Sequence, residues 1–420
     1  MLKIKELFSM FGQGFKNASY LGMGTLAGQV IGFIGFLFIA RMLGKEQYGI
    51  FVIVMNFVFF FHIFTLPGLQ KVIVREGSKD TDGFSKVLDH TIGLRLIFIC
   101  IAMALCVGVS FFTAYSPLVK TLIIIMSAEI IYFGLDSFFS AIYQTAQRMQ
   151  YIALFQLYLR ILVTGLSIGI LLLGGTVTVI LIVNLFSRFL VLFLNYFRTR
   201  KFFKFKLNFR FRADSALIKA TFVFSVMNFI NAFVIRIDVL MVSFLTNEES
   251  VGIYGVAHEL GREGILLRNI LATAFFPLAI KFFTKNQIKV RTIFLYSLIL
   301  FGIVSLGSLL IFFFSEDLVV LLFMEDFRLS GQILKALVFY LPFAFFILPF
   351  STSLQATHNE KLLIPIYGMS ALLNIPLNLI LFDIYGLVGI AYSTIIVYFL
   401  QSVVLMFVAT KFLKRRGHFA

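Results

Sequence analysis

Strongly apolar runs of about twenty residues recur along the chain, separated by short stretches where Lys, Arg, Asp and Glu collect. Wound as a helix, a run of that length crosses the hydrocarbon core of a bilayer, and the helix satisfies its own backbone hydrogen bonds where no water can. The runs 47–70, 96–119, 292–315, 336–357, 362–382 and 384–410 read directly as spans. The run 17–40 is a first span, too long for a cleavable leader. Admitting a few internal charges adds 122–143, 151–173, 176–197, 220–245 and 252–280, which makes twelve.

The polar stretches test this reading independently, because Lys and Arg accumulate in cytoplasmic loops. Alternate stretches divide them sharply: 25 on the side that holds both termini, Arg95 among them, and five (Arg41, Lys45, Lys120, Arg328 and Lys335) on the other. Both termini are therefore expected in the cytoplasm. The basic, aromatic string RTRKFFKFKLNFRFRADSALIK at 198–219 comes midway, so the expected organisation is a six-helix bundle at 1–200, a cytoplasmic linker at 201–217 and a second six-helix bundle at 218–420. The linker reads either as a plain positive-inside connection or as a segment lying on an anionic leaflet.

Composition narrows the class. With 60% hydrophobic and 13% charged residues, the chain cannot build the polar shell of a soluble globule of this size. Trp is absent, so interfacial aromatic belts fall to the 15 Tyr and 55 Phe. The net charge of +16 sits in clusters between apolar runs, which argues against a nucleic-acid partner. Cys100 and Cys106 share one apolar run and suggest neither a disulfide nor a metal site. Asp80-Thr81-Asp82 resembles a glycosyltransferase metal motif but has no α/β domain around it, and reads as a solvated turn. No phosphate-binding loop is present that would make ATP the direct energy source.

The halves also repeat. GKEQYGIF at 44–51 follows the first span and NEESVGIY at 247–254 follows the seventh, matching Gly49 to Gly252 at an offset of 203, while Gln144 matches Gln355 at an offset of 211. An acidic loop at 315–330 accounts for the difference of eight. A parallel duplication about an axis along the membrane normal is a known transporter architecture, and chance similarity of apolar segments is the alternative.

The segment Ile39-Ala40-Arg41-Met42-Leu43-Gly44-Lys45-Glu46-Gln47-Tyr48-Gly49, together with Arg236-Ile237-Asp238, the EESVGIY turn and Tyr385-Gly386-Leu387-Val388-Gly389-Ile390-Ala391, resembles the O-antigen type of polysaccharide-biosynthesis flippase, in the multidrug/oligosaccharidyl-lipid/polysaccharide (MOP) exporter superfamily. The resemblance covers nearly the whole chain in layout. It implies the MATE-like fold of two six-helix bundles, a multi-pass location in the cytoplasmic membrane, and alternating access. The implied cargo is a polyprenyl-pyrophosphate-linked oligosaccharide, such as a polysaccharide or O-antigen repeat unit. The protein would then be a transporter and no enzyme, a monomer working in membrane lipid beside other polysaccharide-assembly proteins. A multidrug or metabolite exporter of the same superfamily is the nearest alternative, and a multi-span glycan polymerase a more distant one.

Charges inside spans are the candidate functional residues, because each costs about 2.5–3.5 kcal/mol on insertion scales unless it meets a partner or water. Antiparallel pairing of spans seven and eight sets Arg236 level with Arg262 and Asp238 level with Leu260, and Glu259, Arg262 and Glu263 share one helical face, with Arg268 deeper. In the first half, Glu129 and Asp136 lie seven residues apart on one face of span four, Arg160 stands near the height of Asp136, and Arg188 has no charged companion on its own helix. Arginines suit a pyrophosphate headgroup because the guanidinium fork donates two hydrogen bonds at once. Arg41, Arg160, Arg188, Arg236, Arg262 and Arg268 are thus the candidate substrate ligands, with helix-to-helix ion pairing as the competing role. Glu129, Asp136, Asp238, Glu259 and Glu263 are candidates for pairing or for coupling to a proton or sodium gradient, with no bound cofactor expected. His62 reads as a packed histidine, and Pro67, Pro277, Pro342, Pro349, Pro365 and Pro376 as kink sites within spans.

Overall fold

A computed structural model of the chain describes residues 2–77, 84–201, 221–222, 225, 230, 233, 236–284, 290–357 and 359–415. Every regular element among them is helical. The basic linker beyond Lys201 and the turn at Asp80-Thr81-Asp82 lie outside the described residues.

Helix α1 (Leu2–Phe61) carries the first predicted span and most of the second, broken at Gly44, whose φ of 71° and ψ of 171° fall in a region essentially reserved for glycine. The second span does not continue as one helix. A 3-10 turn at His62–Thr65 gives way to Leu66 at φ 55°, then Pro67 and Gly68, before α2 (Leu69–Gly77) begins. Pro67 has no N–H to continue the ladder, which favours a break there. Helix α3 covers Phe84–Phe111. The predicted span 122–143 is two helices, α4 (Pro117–Met126) and α5 (Glu129–Thr145), followed by α6 (Met149–Leu172) and α7 (Val177–Arg200).

A helical stretch at 236–245 leads to α8 (Glu248–Thr284) and α9 (Val290–Phe323). Helices α10 (Arg328–Leu337) and α11 (Tyr340–Ala356) follow, with a bend of 42° between them. The chain ends in α12 (Leu363–Tyr385) and α13 (Leu387–Arg415), separated at Gly386 with φ 60°. The acidic loop expected at 315–330 is mostly helix: α9 runs on to Phe323, a 3-10 turn fills Glu325–Phe327, and α10 starts at Arg328. Two of its four acidic residues are paired with Arg328, Glu325 at 2.5 Å and Glu316, within α9, at 3.6 Å.

Among the described residues, eight helical runs are long and apolar enough to cross a bilayer, or nine with the bent pair, and Gly24–Thr65 holds two of the predicted spans in one run. The twelve-span reading is compatible with this, since much of the seventh span lies outside the described residues and the eighth corresponds to α8. The chain is a multi-pass helical membrane protein. Only 11% of the apolar window of α9 is buried, which leaves most of its apolar surface for lipid.

The chain forms two compact units, residues 1–43 with 50–229, and residues 44–49 with 230–420. In the first, Leu69, Phe84, Leu88, Phe138, Phe139 and Tyr143 center an apolar core. In the second, Ile347, Phe350, Leu354, Leu405, Ala409 and Leu413 do so. Arg95 corrects the loop count made from sequence: it lies inside α3, is fully buried, and donates through Nη1 to the Thr65 carbonyl at 2.8 Å, at the break in the second span.

Candidate functional site

In the first unit the polar residues align along α5 and α7. Arg188 meets Glu129 at 3.3 Å, and Asn195 donates to Asp136 at 3.2 Å. Each partner on α7 lies 59 residues after its partner on α5, and the two pairs are seven residues apart, so the helices run parallel with one polar pair every two turns. The Arg188 guanidinium also lies 5.5 Å from the center of the Tyr132 ring. The arginine that seemed isolated along its own helix thus gains a carboxylate and an aromatic face from a neighbour. The hydrogen bond at Asp136 comes from an asparagine, a partner that a search restricted to charges passes over.

Arg160 sits differently. It is the twelfth of 24 residues in α6, yet its side chain is exposed, as is that of Gln156 one turn earlier. At roughly 16 Å along the helix, a guanidinium is costly to place against hydrocarbon, which makes this side of α6 a candidate for meeting water or a polar ligand. Its stem follows α1 past Gly28 and Gly32. Arg41 is exposed near the end of the first span.

In the second unit, residues 44–49 pack against the start of α8. A Cβ on Gly49 would stand 1.7 Å from the Glu248 carbonyl oxygen, and one on Gly252 would stand 1.9 Å from that of Lys45. These four residues are related in pairs by the sequence offset of 203, so the repeated motif meets its own copy, backbone against backbone. Lys45 closes on Glu249 at 2.7 Å, and buried Tyr48 packs edge-on to Phe327 with ring centers 6.4 Å apart.

About two and three turns beyond Gly252 along α8, Glu259 and Arg262 pair at 2.5 Å, both side chains partly accessible. Half-buried Arg236 belongs to the same group, since Arg236, Glu259 and Arg262 all act electrostatically on Tyr48 and on His258. Glu263, also half-buried, lies on the same helix. Arg268 turns toward α11, where its Nε donates to the Ala344 carbonyl at 2.7 Å.

Asp238 is buried, and its carboxylate is enclosed by neutral polar groups. Asn378 of α12 donates to Oδ1 at 2.9 Å and Thr394 of α13 donates to Oδ2 at 2.7 Å. The Asn378 amide also donates to Asn374 Oδ1 at 2.6 Å, and the Ser393 hydroxyl donates to Asn378 Oδ1. Asn374, Asn378, Ser393 and Thr394 are all buried. Taking a carboxylate out of water is costly unless it is hydrogen-bonded or paired with a cation, and this cage supplies hydrogen bonds together with further oxygens. One negative charge with several neutral oxygens suits a hard monovalent cation or a proton. Among the described residues, no group of three His, Cys, Asp or Glu side chains is placed so that it could hold a metal ion.

The residues missed in the sequence are therefore neutral. Asn374 and Asn378 are spaced by one turn in an otherwise apolar run, and Ser393-Thr394 interrupts the last one. That spacing is a usable signal once neutral amides and hydroxyls are read beside the charges.

No curated protein matches the chain in sequence. Among solved structures, the lipid II flippase MurJ in an inward closed conformation is similar at a TM-score of 0.74 and 19% identity, over 92% of this chain and 86% of that one. An inward-facing multidrug resistance MATE family transporter of the MOP superfamily is similar at 0.72 and 16%, over 92% and 95%. A MOP superfamily transporter from Pyrococcus furiosus, described as having a binding pocket of reverse polarity that suggests a different function, is similar at 0.62 and 16%, over 96% and 95%. These likenesses establish the fold. The family model for MatE matches residues 224–380, and the model for polysaccharide biosynthesis protein matches residues 15–283, more than half of the chain. The chain therefore belongs to the polysaccharide biosynthesis protein family.

Proposed function

We propose that the protein is a flippase that carries a polyprenyl-pyrophosphate-linked oligosaccharide, a polysaccharide or O-antigen repeat unit, across the cytoplasmic membrane by alternating access. It works as a monomer beside other polysaccharide-assembly proteins and transforms no substrate chemically. The observation that carries this reading is Arg160, a permanently charged, exposed side chain at the midpoint of a spanning helix. A guanidinium kept there binds a doubly charged headgroup bidentately, while the polyprenyl tail stays in lipid. Arg262 and Arg268 add cationic positions in the second unit. The family description and the likeness to a lipid II flippase support the same cargo class.

The MatE match favours a second reading, export of a multidrug or metabolite cargo. A cationic drug calls for carboxylates free to receive it, whereas here Glu129 is held by Arg188 and Asp238 by its amide and hydroxyl cage. The driving force in our proposal is a sodium or proton gradient acting at Asp238.

The test is translocation in proteoliposomes loaded with a labelled polyprenyl-pyrophosphate oligosaccharide, scored by glycan exposed to an external glycosidase. The wild-type protein exposes internal glycan. Arg160→Ala and Arg262→Ala slow it by roughly tenfold or more, the loss of one charge-assisted hydrogen bond, while remaining folded. Asp238→Asn removes the response to an imposed ion gradient, and comparing sodium with pH gradients identifies the ion. Full-rate flipping by both arginine variants overturns the headgroup assignment. A wild-type protein that exports a cationic dye and flips no glycolipid establishes the second reading.

A further inference from the structure

Helices α1 and α6 run parallel and touch along a row of glycines, but the glycines do not all do the same work. A Cβ on Gly24 would meet the Ala153 Cβ at 2.6 Å, and one on Gly35 would meet the Thr164 Oγ1 at 2.7 Å, while the Thr164 hydroxyl donates to the Ile31 carbonyl at 3.3 Å. Those two glycines let the helices close on each other, the usual role of small residues between spans. Gly28 and Gly32 lie between these contacts and meet neither backbone nor core. They face Arg160, whose Cγ is 3.5 Å from the Cβ position of Gly28, and whose Cδ, Cζ and Nη1 are 3.7, 3.5 and 3.1 Å from that of Gly32. The side chain thus runs lengthwise along α1, stem over Gly28 and guanidinium over Gly32, spanning about one helical turn. It remains exposed along that course. By contrast, Gly165 and Gly169 on α6 have nothing within 4 Å of their Cβ positions.

We propose that Gly28 and Gly32 are positioning residues for headgroup recognition: they form a groove on α1 that seats the Arg160 side chain and fixes where its guanidinium meets a pyrophosphate. The inference rests on the reading of Arg160 as a headgroup ligand. An arginine loses much rotamer freedom when it is immobilised, and a groove that already confines it reduces that loss on binding. A planar fork also discriminates pyrophosphate from a single phosphate only when its orientation is set. A methyl group at Gly32 meets the mobile end of the side chain at a distance that forces a small displacement, and a larger side chain there fills the groove.

The experiment is a double-mutant cycle read by binding of polyprenyl pyrophosphate, polyprenyl monophosphate and uncharged polyprenol to the purified full-length protein. Gly32→Leu weakens pyrophosphate binding by roughly tenfold, the monophosphate by less and the polyprenol not at all. Gly32→Ala gives a smaller shift in the same order and carries the test if the leucine variant fails to fold. Gly165→Ala binds like wild type. In an Arg160→Ala background neither Gly32 substitution weakens binding further. Equal losses in the presence and absence of Arg160, or equal losses for all three lipids, overturn the inference and leave Gly32 as a helix-packing residue, with the flippase reading intact. A wild-type protein that binds the three lipids alike, unchanged by Arg160→Ala, overturns the flippase reading and this inference together.

Discussion

Two arginines illustrate how differently a buried cation can be treated. Arg188 has Glu129 at 3.3 Å and the face of Tyr132, so most of its charge is answered. Arg95 is fully buried and donates through Nη1 to the Thr65 carbonyl, while its Nε and Nη2 have no hydrogen-bond partner among the described residues. Breaking a buried pair leaves an uncompensated charge, whereas replacing an ill-satisfied buried ion by an apolar side chain is often neutral or better. Glu129→Leu is therefore expected to destabilise the protein by about 3–5 kcal/mol, and Arg188→Met added to it recovers most of the loss. Arg95→Met is expected to fall within about 1 kcal/mol of wild type or to stabilise. Thermal unfolding in lipid nanodiscs ranks the variants, and an Arg95→Met loss as large as that of Glu129→Leu contradicts the assignment. From sequence alone Arg95 counts as a loop cation at the edge of an apolar run. Only the fold shows that α3 begins eleven residues earlier, at Phe84.

At the scale of elements, the repeated Gly motif is the clearest case of sequence pattern acquiring a physical cause. The offset of 203 shows that Gly49 and Gly252 correspond, but not that either is needed. Contact distances of 1.7 and 1.9 Å for an added Cβ, both to backbone oxygens, leave no route for a side chain to move aside. Gly49→Ala and Gly252→Ala are expected to separate the segment 44–49 from the start of α8, release the Lys45–Glu249 pair and destabilise by more than about 2 kcal/mol, a loss of packing comparable to overfilling a core. Gly302→Ala, with open space around its Cβ position, is expected to stabilise by about 0.5–1 kcal/mol through helix propensity. The comparison is a set of melting curves in one detergent, and equal curves for Gly49→Ala and Gly302→Ala reject the contact. The span that contains Pro67 was legible as a kink site, but its course through a 3-10 turn and a left-handed Leu66 was not. Where a broken helix resumes depends on groups elsewhere in the chain, here Arg95 at the Thr65 carbonyl and Ser225, whose hydroxyl accepts from the Gly68 amide at 3.1 Å.

For the whole molecule, the asymmetry of Lys and Arg sets orientation through the membrane. Both termini are expected in the cytoplasm: a fluorescent protein fused after Ala420 should be fluorescent and alkaline phosphatase at the same place inactive, while phosphatase inserted after Lys120 should be active. The reverse pattern rejects the orientation.

Hydrophobic run lengths were enough to determine that this chain is helical and membrane-embedded, because in hydrocarbon a backbone has almost no other way to satisfy its polar groups. Charges within those runs marked where polar chemistry must lie, since each is too costly to place against lipid. Which charges meet was decided by the tertiary structure. The 59-residue register of α5 and α7 gives Arg188 to Glu129 and Asn195 to Asp136. The meeting of α12 and α13 at Asp238 builds a cage of Asn378 and Thr394 around it. Such pairings join residues 59 to 156 positions apart, and helical periodicity fixes only which face of its own helix a side chain takes, so the partner on another helix is set by packing.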